Sequence, residues 1–198
     1  MTRRAILLDR DGTLCEEVGY VNHVDRVRIP ERSIAAMRLA NRAGFQTVVI
    51  TNQAGVARGY FDEALIHDVH DRVREILAAG DARIDGIYYC PHHPEVGAPP
   101  YRTACACRKP GVAMLLRARD EMGIDLAASY VVGDSIKDIQ AGHAVGATTV
   151  MVRTGYGRGE LEHHSSSWSV RPDHLADDLL DAVEWIVERE RANRETSR

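Results

Sequence analysis

No stretch of eighteen consecutive apolar residues occurs in the 198-residue chain, so no segment is long enough to cross a bilayer as a helix. The opening MTRRAILL sets basic residues before an apolar run, but that run is far too short for a secretory leader. There is no basic surplus either. Lys and Arg total 25 against 29 acids, a net charge of −4 without a cationic stripe, which argues against a nucleic-acid partner. Cysteine is scarce, four in all, and three of the four share one short region. That distribution suits metal ligation in a reducing compartment better than disulfides. Internal repeats and interdomain linkers are absent. The expectation is a cytoplasmic, monomeric protein with one domain over residues 1–198 and one good-sized core.

Short apolar runs alternate with helical periodicities. Residues 5–8 read as a buried strand that breaks into Asp9-Arg10-Asp11-Gly12-Thr13. Residues 14–28 have no clean period and read as a substrate-facing loop. Pro30 fits the first turn of a helix ending at Gly44, and residues 47–50 are a β-branched strand. Asp62 is a candidate N-cap for a helix with Leu65, Val69, Val73, Ile76 and Leu77 on one face and Gly80 as its stop. Residues 84–89 form a third strand, and residues 90–109 hold too many prolines for regular structure. Pro110 opens a helix stopped by Gly123. Residues 130–132 and 148–152 are strands on either side of a short helix over 136–144. The run His163 to Ser167 reads as a polar surface loop, and residues 173–191 as a final amphipathic helix. This alternation predicts an α/β fold, a Rossmann-like doubly wound parallel sheet with helices on both faces.

Ligands of such a sheet lie beyond the C-terminal ends of its strands. Asp9 and Asp11 follow the first strand, Thr51 and Asn52 end the second, and Asp134 ends the fourth with Asp138 one helical turn on. Lys109 precedes the helix leading to the fourth strand. For as long as strand geometry persists, alternation aims Asp9 and Asp11 together and Arg10 away. Two like charges about 4 Å apart repel by roughly 4 kcal/mol at a moderate dielectric. Bound Mg2+, or a proton on one acid, removes that cost. The set fits phosphoryl transfer: one carboxylate as nucleophile, a second as general acid and base, and oxygens of Asp9 and Asp134 for Mg2+. Thr51 and Lys109 can stabilise the transferring phosphoryl group, and Arg58 and Arg108 suit a second phosphate.

Cys90-x-His92 and Cys105-x-Cys107 offer three thiolates and one imidazole, a closed tetrahedral set for structural Zn2+, with His93 as the alternative to His92. Closing that loop would hold Arg108 and Lys109 beside the phosphate site. Cys15 stands alone and reads as a small buried or loop residue.

DRDGT, TNQ, Lys109 and GDSIKD, in that order, resemble the four motifs of the haloacid dehalogenase-like phosphatase superfamily. The resemblance implies Asp9 as nucleophile and Asp11 as acid/base with its main-chain carbonyl on Mg2+. It further implies Thr51 and Lys109 as the second- and third-motif residues, and Asp134 as an Mg2+ ligand supported by Asp138. GYV, TNQAGVARG, YYCPHHP and CACRKP are similar to the heptose bisphosphate phosphatases and the related histidinol-phosphate phosphatases, over about residues 5–155. This likeness implies a fold with no separate cap domain and a zinc loop over about 90–107. It implies a small phosphorylated sugar substrate: removal of the 7-phosphate from a D-glycero-D-manno-heptose 1,7-bisphosphate, toward nucleotide-activated heptose. Substrate contacts would come from Glu17, Val18, Gly19, Tyr20, Thr51, Asn52, Gln53, Ala54, Arg58, Arg108 and Lys109. The alternatives are histidinol phosphate, whose cation would want an acid such as Glu17, and a zinc-stabilised binding module without activity. Two departures stand out. Ser135 follows Asp134 where the family often has lysine, with Lys137 two residues on, and Gly111 follows Pro110 where the family usually has a second proline.

Overall fold

Six strands make one parallel sheet in the computed structural model, which describes residues 3–196. They are β1 (Ala5–Leu8), β2 (Gln46–Asn52), β3 (Gly86–Cys90), β4 (Tyr130–Gly133), β5 (Thr148–Val152) and β6 (His174–Ala176). Their order across the sheet is β3-β2-β1-β4-β5-β6, with every neighbouring pair parallel. The order reverses between β1 and β4, so the ligand crevice of this architecture opens at the C-terminal ends of those two strands.

Five helices cover the sheet: α1 (Glu31–Arg42), α2 (Glu63–Ala79), α3 (Ala113–Met122), α4 (Ile136–Ala144) and α5 (Leu179–Thr196). Strand alternation decides which face each one meets. Ile6 and Leu8 of β1 belong with Met37 of α1, Val73 and Leu77 of α2 and Val183 of α5. Ala5 and Leu7 belong with Met114, Leu115 and Ala118 of α3 and Ala141 of α4. Both faces are therefore buried, as an all-parallel sheet requires. Among the described residues, no helix is long and apolar enough to cross a membrane.

Several boundaries differ from the sequence reading, each for a local reason. Pro30 is the N-cap of α1, outside its first turn. β3 begins at Gly86, because Arg83 shortly before it spends both main-chain polar groups on the Asn41 side chain of α1. The helix expected from Pro110 starts at Ala113: the Gly111 and Ala113 N–H groups donate back to Arg108 O and Ala106 O and close the preceding loop. Residues 173–191 are not one helix. His174–Ala176 pairs with β5, and α5 starts at Leu179 after Asp178, whose carboxylate accepts from the Leu180 and Asp181 N–H groups. Leu175, whose spacing to Leu179, Val183 and Ile186 imitates a helical stripe, is exposed on β6. Residues 157–167 wind into short helical turns instead of an open loop.

Both edge strands are fastened in the same way. Asp85, before β3, accepts from the Thr47 N–H at 2.8 Å and the Thr47 hydroxyl at 3.2 Å. Asp173, before β6, accepts from the Thr149 N–H and hydroxyl, both at 2.8 Å. Both threonines are fully buried. Burial works against the Asp173 carboxylate, but the Thr149 donors, with His143 and Arg189 nearby, hold it below its ordinary value of 3.8. Its stabilisation is therefore present above that value and is lost as the pH falls through the lower folded-state value. Replacing Asp173 by Ala leaves two buried donors without an acceptor and should cost about 1–3 kcal/mol, read as a lower urea midpoint at unchanged slope. Asp85→Ala should cost less, because the Thr47 hydroxyl keeps Arg83 O at 2.8 Å and only the Thr47 N–H is stranded; a midpoint within error of wild type for both would remove the clasp's energetic role.

Candidate active site

β1 stops at Leu8, and the chain leaves strand geometry before Arg10. The alternation expected to aim Arg10 away from Asp11 therefore no longer applies. Instead the Arg10 guanidinium, only 2% exposed, folds onto Asp11 and donates to both carboxylate oxygens at 3.0 and 2.8 Å. Gln53 donates to the same carboxylate at 2.8 Å and to the Thr51 hydroxyl at 3.0 Å. Asp9 has its own cation: Lys109 Nζ lies 2.9 Å from it, 2.6 Å from Asp138 and 2.7 Å from Ile50 O. The repulsion expected between Asp9 and Asp11 is thus relieved by two separate cations.

Lys109 is fixed at both ends. Asn52, at the tip of β2, accepts from the Lys109 N–H at 3.0 Å and donates to Lys109 O at 3.3 Å. Burial opposes the ammonium, yet Asp138 and Asp9 hold its pKa well above the ordinary value.

Asp134 ends β4, and its carboxylate accepts from the Tyr156 N–H at 2.8 Å. Two glycines make room for it. A Cβ at Gly12 or at Gly155 would come within 2.1 Å of its Oδ2, and both glycines have positive φ, +81° and +56°. Asp138, from the first turn of α4, completes the group. One oxygen from each of Asp9, Asp134 and Asp138 lies within 4.8 Å of the others. Burial pushes the Asp134 carboxyl up to about 8, with Asp9 and Asp138 adding to the shift. Burial likewise raises Asp9, to about 6, against the pull of Lys109. Three acids against one ammonium leave a buried negative excess made of hard oxygens, the donor set that suits Mg2+. The Asp11 side chain stands outside this group, committed to Arg10 and Gln53.

These groups line a cleft of about 270 Å3 that also includes Glu17, Gly19, Tyr20, Thr51, Asn52, Gln53, Ala54 and Arg108. Two residues expected at the substrate lie off it. Val18 packs against the core, and Arg58 is exposed on the loop after β2. Burial first, and then Arg108, Arg58 and Lys137, bias the nearby His93 ring toward its neutral form. The cleft further contains Ser135, Lys137 and Tyr156, none of which the sequence reading placed there. Tyr156 stands 59% exposed at the rim. Its only cue in the sequence was the loop following the fifth strand, the usual position for a ligand contact in this fold.

A second cluster lies beside the cleft. The sulfurs of Cys90, Cys105 and Cys107 are 3.1 to 3.5 Å apart, and His92 Nδ1 is 3.4 Å from Cys107 and 3.7 Å from Cys90. Tetrahedral ligands on zinc are separated by roughly 3.5–3.8 Å, so the four atoms need spread by only a few tenths of an ångström to hold that ion. His93 is engaged elsewhere, its Nδ1 accepting from the Glu95 and Val96 N–H groups at 3.1 and 3.2 Å. Glu63, at the start of α2, accepts from Tyr89 of β3 at 2.6 Å and from Tyr101 of the cysteine loop at 2.7 Å. Arg108 donates to His92 O at 3.3 Å, so the loop also positions a cation at the cleft.

The D-glycero-beta-D-manno-heptose-1,7-bisphosphate 7-phosphatase of Escherichia coli (strain K12) is 49% identical over 152 residues, 76% of this chain and 80% of that protein. The chain belongs to this family of HAD-like phosphatases. The Haemophilus influenzae protein of the same name is 44% identical over 155 residues, 77% of this chain and 83% of its own length. A HAD-hydrolase-like family model matches residues 106–182. The crystal structure of D,D-heptose 1,7-bisphosphate phosphatase from B. bronchiseptica, complexed with magnesium and phosphate, superposes with a TM-score of 0.83 at 31% identity. That match covers 94% of this chain and 99% of that one. The chain is thus a phosphoric monoester hydrolase, and its buried acid group matches the hard cation that the structural neighbour holds.

Because the Asp9 and Asp134 carboxyls rise to about 6 and about 8 in the metal-free protein, an incoming Mg2+ displaces protons below pH 8. Its affinity should climb with pH by up to about tenfold per unit where one proton is released, then level off above the higher value. Calorimetric Mg2+ titrations on either side of that window check this, and a flat profile counts against it. For the cysteine cluster, metal analysis should return one Zn2+ per chain, and Cys107→Ser should lower both that content and the melting temperature.

Proposed function

We propose that this phosphatase removes the 7-phosphate of D-glycero-β-D-manno-heptose 1,7-bisphosphate, on the route to nucleotide-activated heptose, through an aspartyl-phosphate on Asp9. The observation that carries the reading is a set of buried carboxylates bridged by Lys109, with Arg108 on the same cleft paired with no carboxylate among the described residues. The identity to relatives of that printed activity supports the substrate and its β anomer.

In the first step the Asp9 carboxylate attacks the phosphorus of the 7-phosphate, and the bond from phosphorus to the sugar O7 breaks. Asp11 delivers the proton that O7 needs to leave as an alcohol. In the second step water attacks the aspartyl-phosphate phosphorus, Asp11 takes the water's proton, and Asp9 is released with inorganic phosphate. Arg10 and Gln53 orient Asp11 for both transfers. The Thr51 hydroxyl and the Lys109 ammonium stabilise the phosphoryl oxygens, Lys109 also neutralising the nucleophile's surroundings between turnovers. Mg2+, held by Asp9 and Asp134 with the Asp11 main-chain carbonyl and supported by Asp138, supplies the positive charge that lets a carboxylate approach a phosphate. Cys90, His92, Cys105 and Cys107 would hold Zn2+ in a structural role, and the closed loop would keep the Arg108–Lys109 segment in place. The non-reacting phosphate is taken by Arg108, which lines the cleft.

Histidinol phosphate fits less well. Its cation would look to Glu17, whose carboxylate is turned to the Gly19 N–H at 2.5 Å and is pushed by burial toward its neutral form. Phosphate release measured side by side should favour the heptose bisphosphate; a strong preference for histidinol phosphate overturns the substrate. Asp9→Asn should lower kcat by about three orders of magnitude or more, and EDTA should abolish activity that Mg2+ restores. An unchanged low background in Asp9→Asn points instead to a binding module.

A further inference from the structure

Lys137 enters the cleft from the first turn of α4, on the opposite side of Ser135 from Asp134. It is exposed along its length, and among the described residues no carboxylate pairs with it. The same holds for Arg58 and Arg108. Arg108 and Lys137 come from different elements, the cysteine loop and α4, and both line the cleft, while Arg58, on the loop after β2, lies off it. Cations brought together without counter-charge repel one another, and an anion that bridges them removes that cost.

The neighbouring positions explain why the lysine is free to serve. Ser135 caps α4: its side chain accepts from the Lys137 N–H, while Asp138 accepts from the Ser135 N–H. Residue 135 is thereby spent on the helix start. The cation is carried two residues further along the same turn, where its side chain reaches the cleft beside Arg108. Of the cleft carboxylates, Asp9 and Asp138 are already engaged by Lys109, and Asp11 by Arg10.

We propose that Lys137 is a specificity-determining residue that, with Arg108, holds the non-reacting phosphate of the substrate. It contributes a point charge on a flexible stem, whereas the arginine adds planar donors. Its effect is to discriminate a bisphosphate from the corresponding monophosphate. The inference rests on the bisphosphate reading of the site, and its test separates the two.

The experiment compares kcat/KM for the heptose 1,7-bisphosphate and the heptose 7-phosphate in wild type, Lys137→Gln and Lys137→Arg. Wild type should prefer the bisphosphate. Lys137→Gln should cut that preference about tenfold or more, the change lying in KM for the bisphosphate, and Lys137→Arg should retain most of it. Added salt should shrink the preference of wild type more than that of Lys137→Gln. If wild type prefers the bisphosphate but Lys137→Gln keeps the whole preference, or loses turnover equally on both substrates, the assignment of Lys137 fails while the substrate stands. If wild type shows no preference for the bisphosphate, both fail.

Discussion

The ammonium of Lys109 is the contact on which the site depends. Three carboxylates buried at one strand edge would repel one another or take up protons, and a single cation wedged between Asp9 and Asp138 makes their company tolerable. Such a charge is useful only if it cannot wander. Its head is bonded to Ile50 O of β2, and its main chain is gripped at both polar groups by Asn52 of the same strand. β2 therefore supplies the position of a residue that arrives from a loop nearly sixty positions later in the chain. The negative excess that remains is a fit for a divalent ion, so one lysine sets both the charge and the vacancy for charge in the site.

The cysteine loop solves the complementary problem. Arg108 and Lys109 leave a segment with little regular structure of its own, and loops of that kind are mobile unless tied down. Three sulfurs and an imidazole converge at one end, and Glu63 ties the loop and β3 to α2 through two tyrosine hydroxyls at the other. The side chains that face substrate are then presented by a braced segment, a condition for geometry held to a fraction of an ångström.

Much of this was legible in the sequence because parallel strands at the centre of a sheet are plain apolar runs and their C-terminal ends are where ligands bind. Asp9, Thr51, Lys109, Asp134 and Asp138 were all found by that logic and do meet in one cleft. What escaped depends on departures from regular geometry. Arg10 folds onto Asp11 because the strand geometry on which the alternation depends ends at Leu8, a limit the apolar run does not mark. β6 is three residues long, too brief to leave a pattern, and its exposed Leu175 imitated a helical stripe. Tyr156 and Lys137 reach the cleft from a loop and a helix start, where periodicity carries no information about direction. The choice between His92 and His93 turned on which ring nitrogen two backbone amides had already claimed.

The paired threonine–aspartate clasps carry a consequence for the family's history. They lie at the entry end of β3 and β6, the two borders of the sheet, and so fix its alignment from the side opposite the chemistry. A fabric hemmed along one margin keeps its weave however the other margin is cut. The exit-side connections, including the cysteine loop and the turns after β5, are thereby free to lengthen, shorten or exchange residues such as Ser135 and Lys137 without disturbing how the strands line up. New specificities can be tried at that margin while the scaffold beneath stays the same.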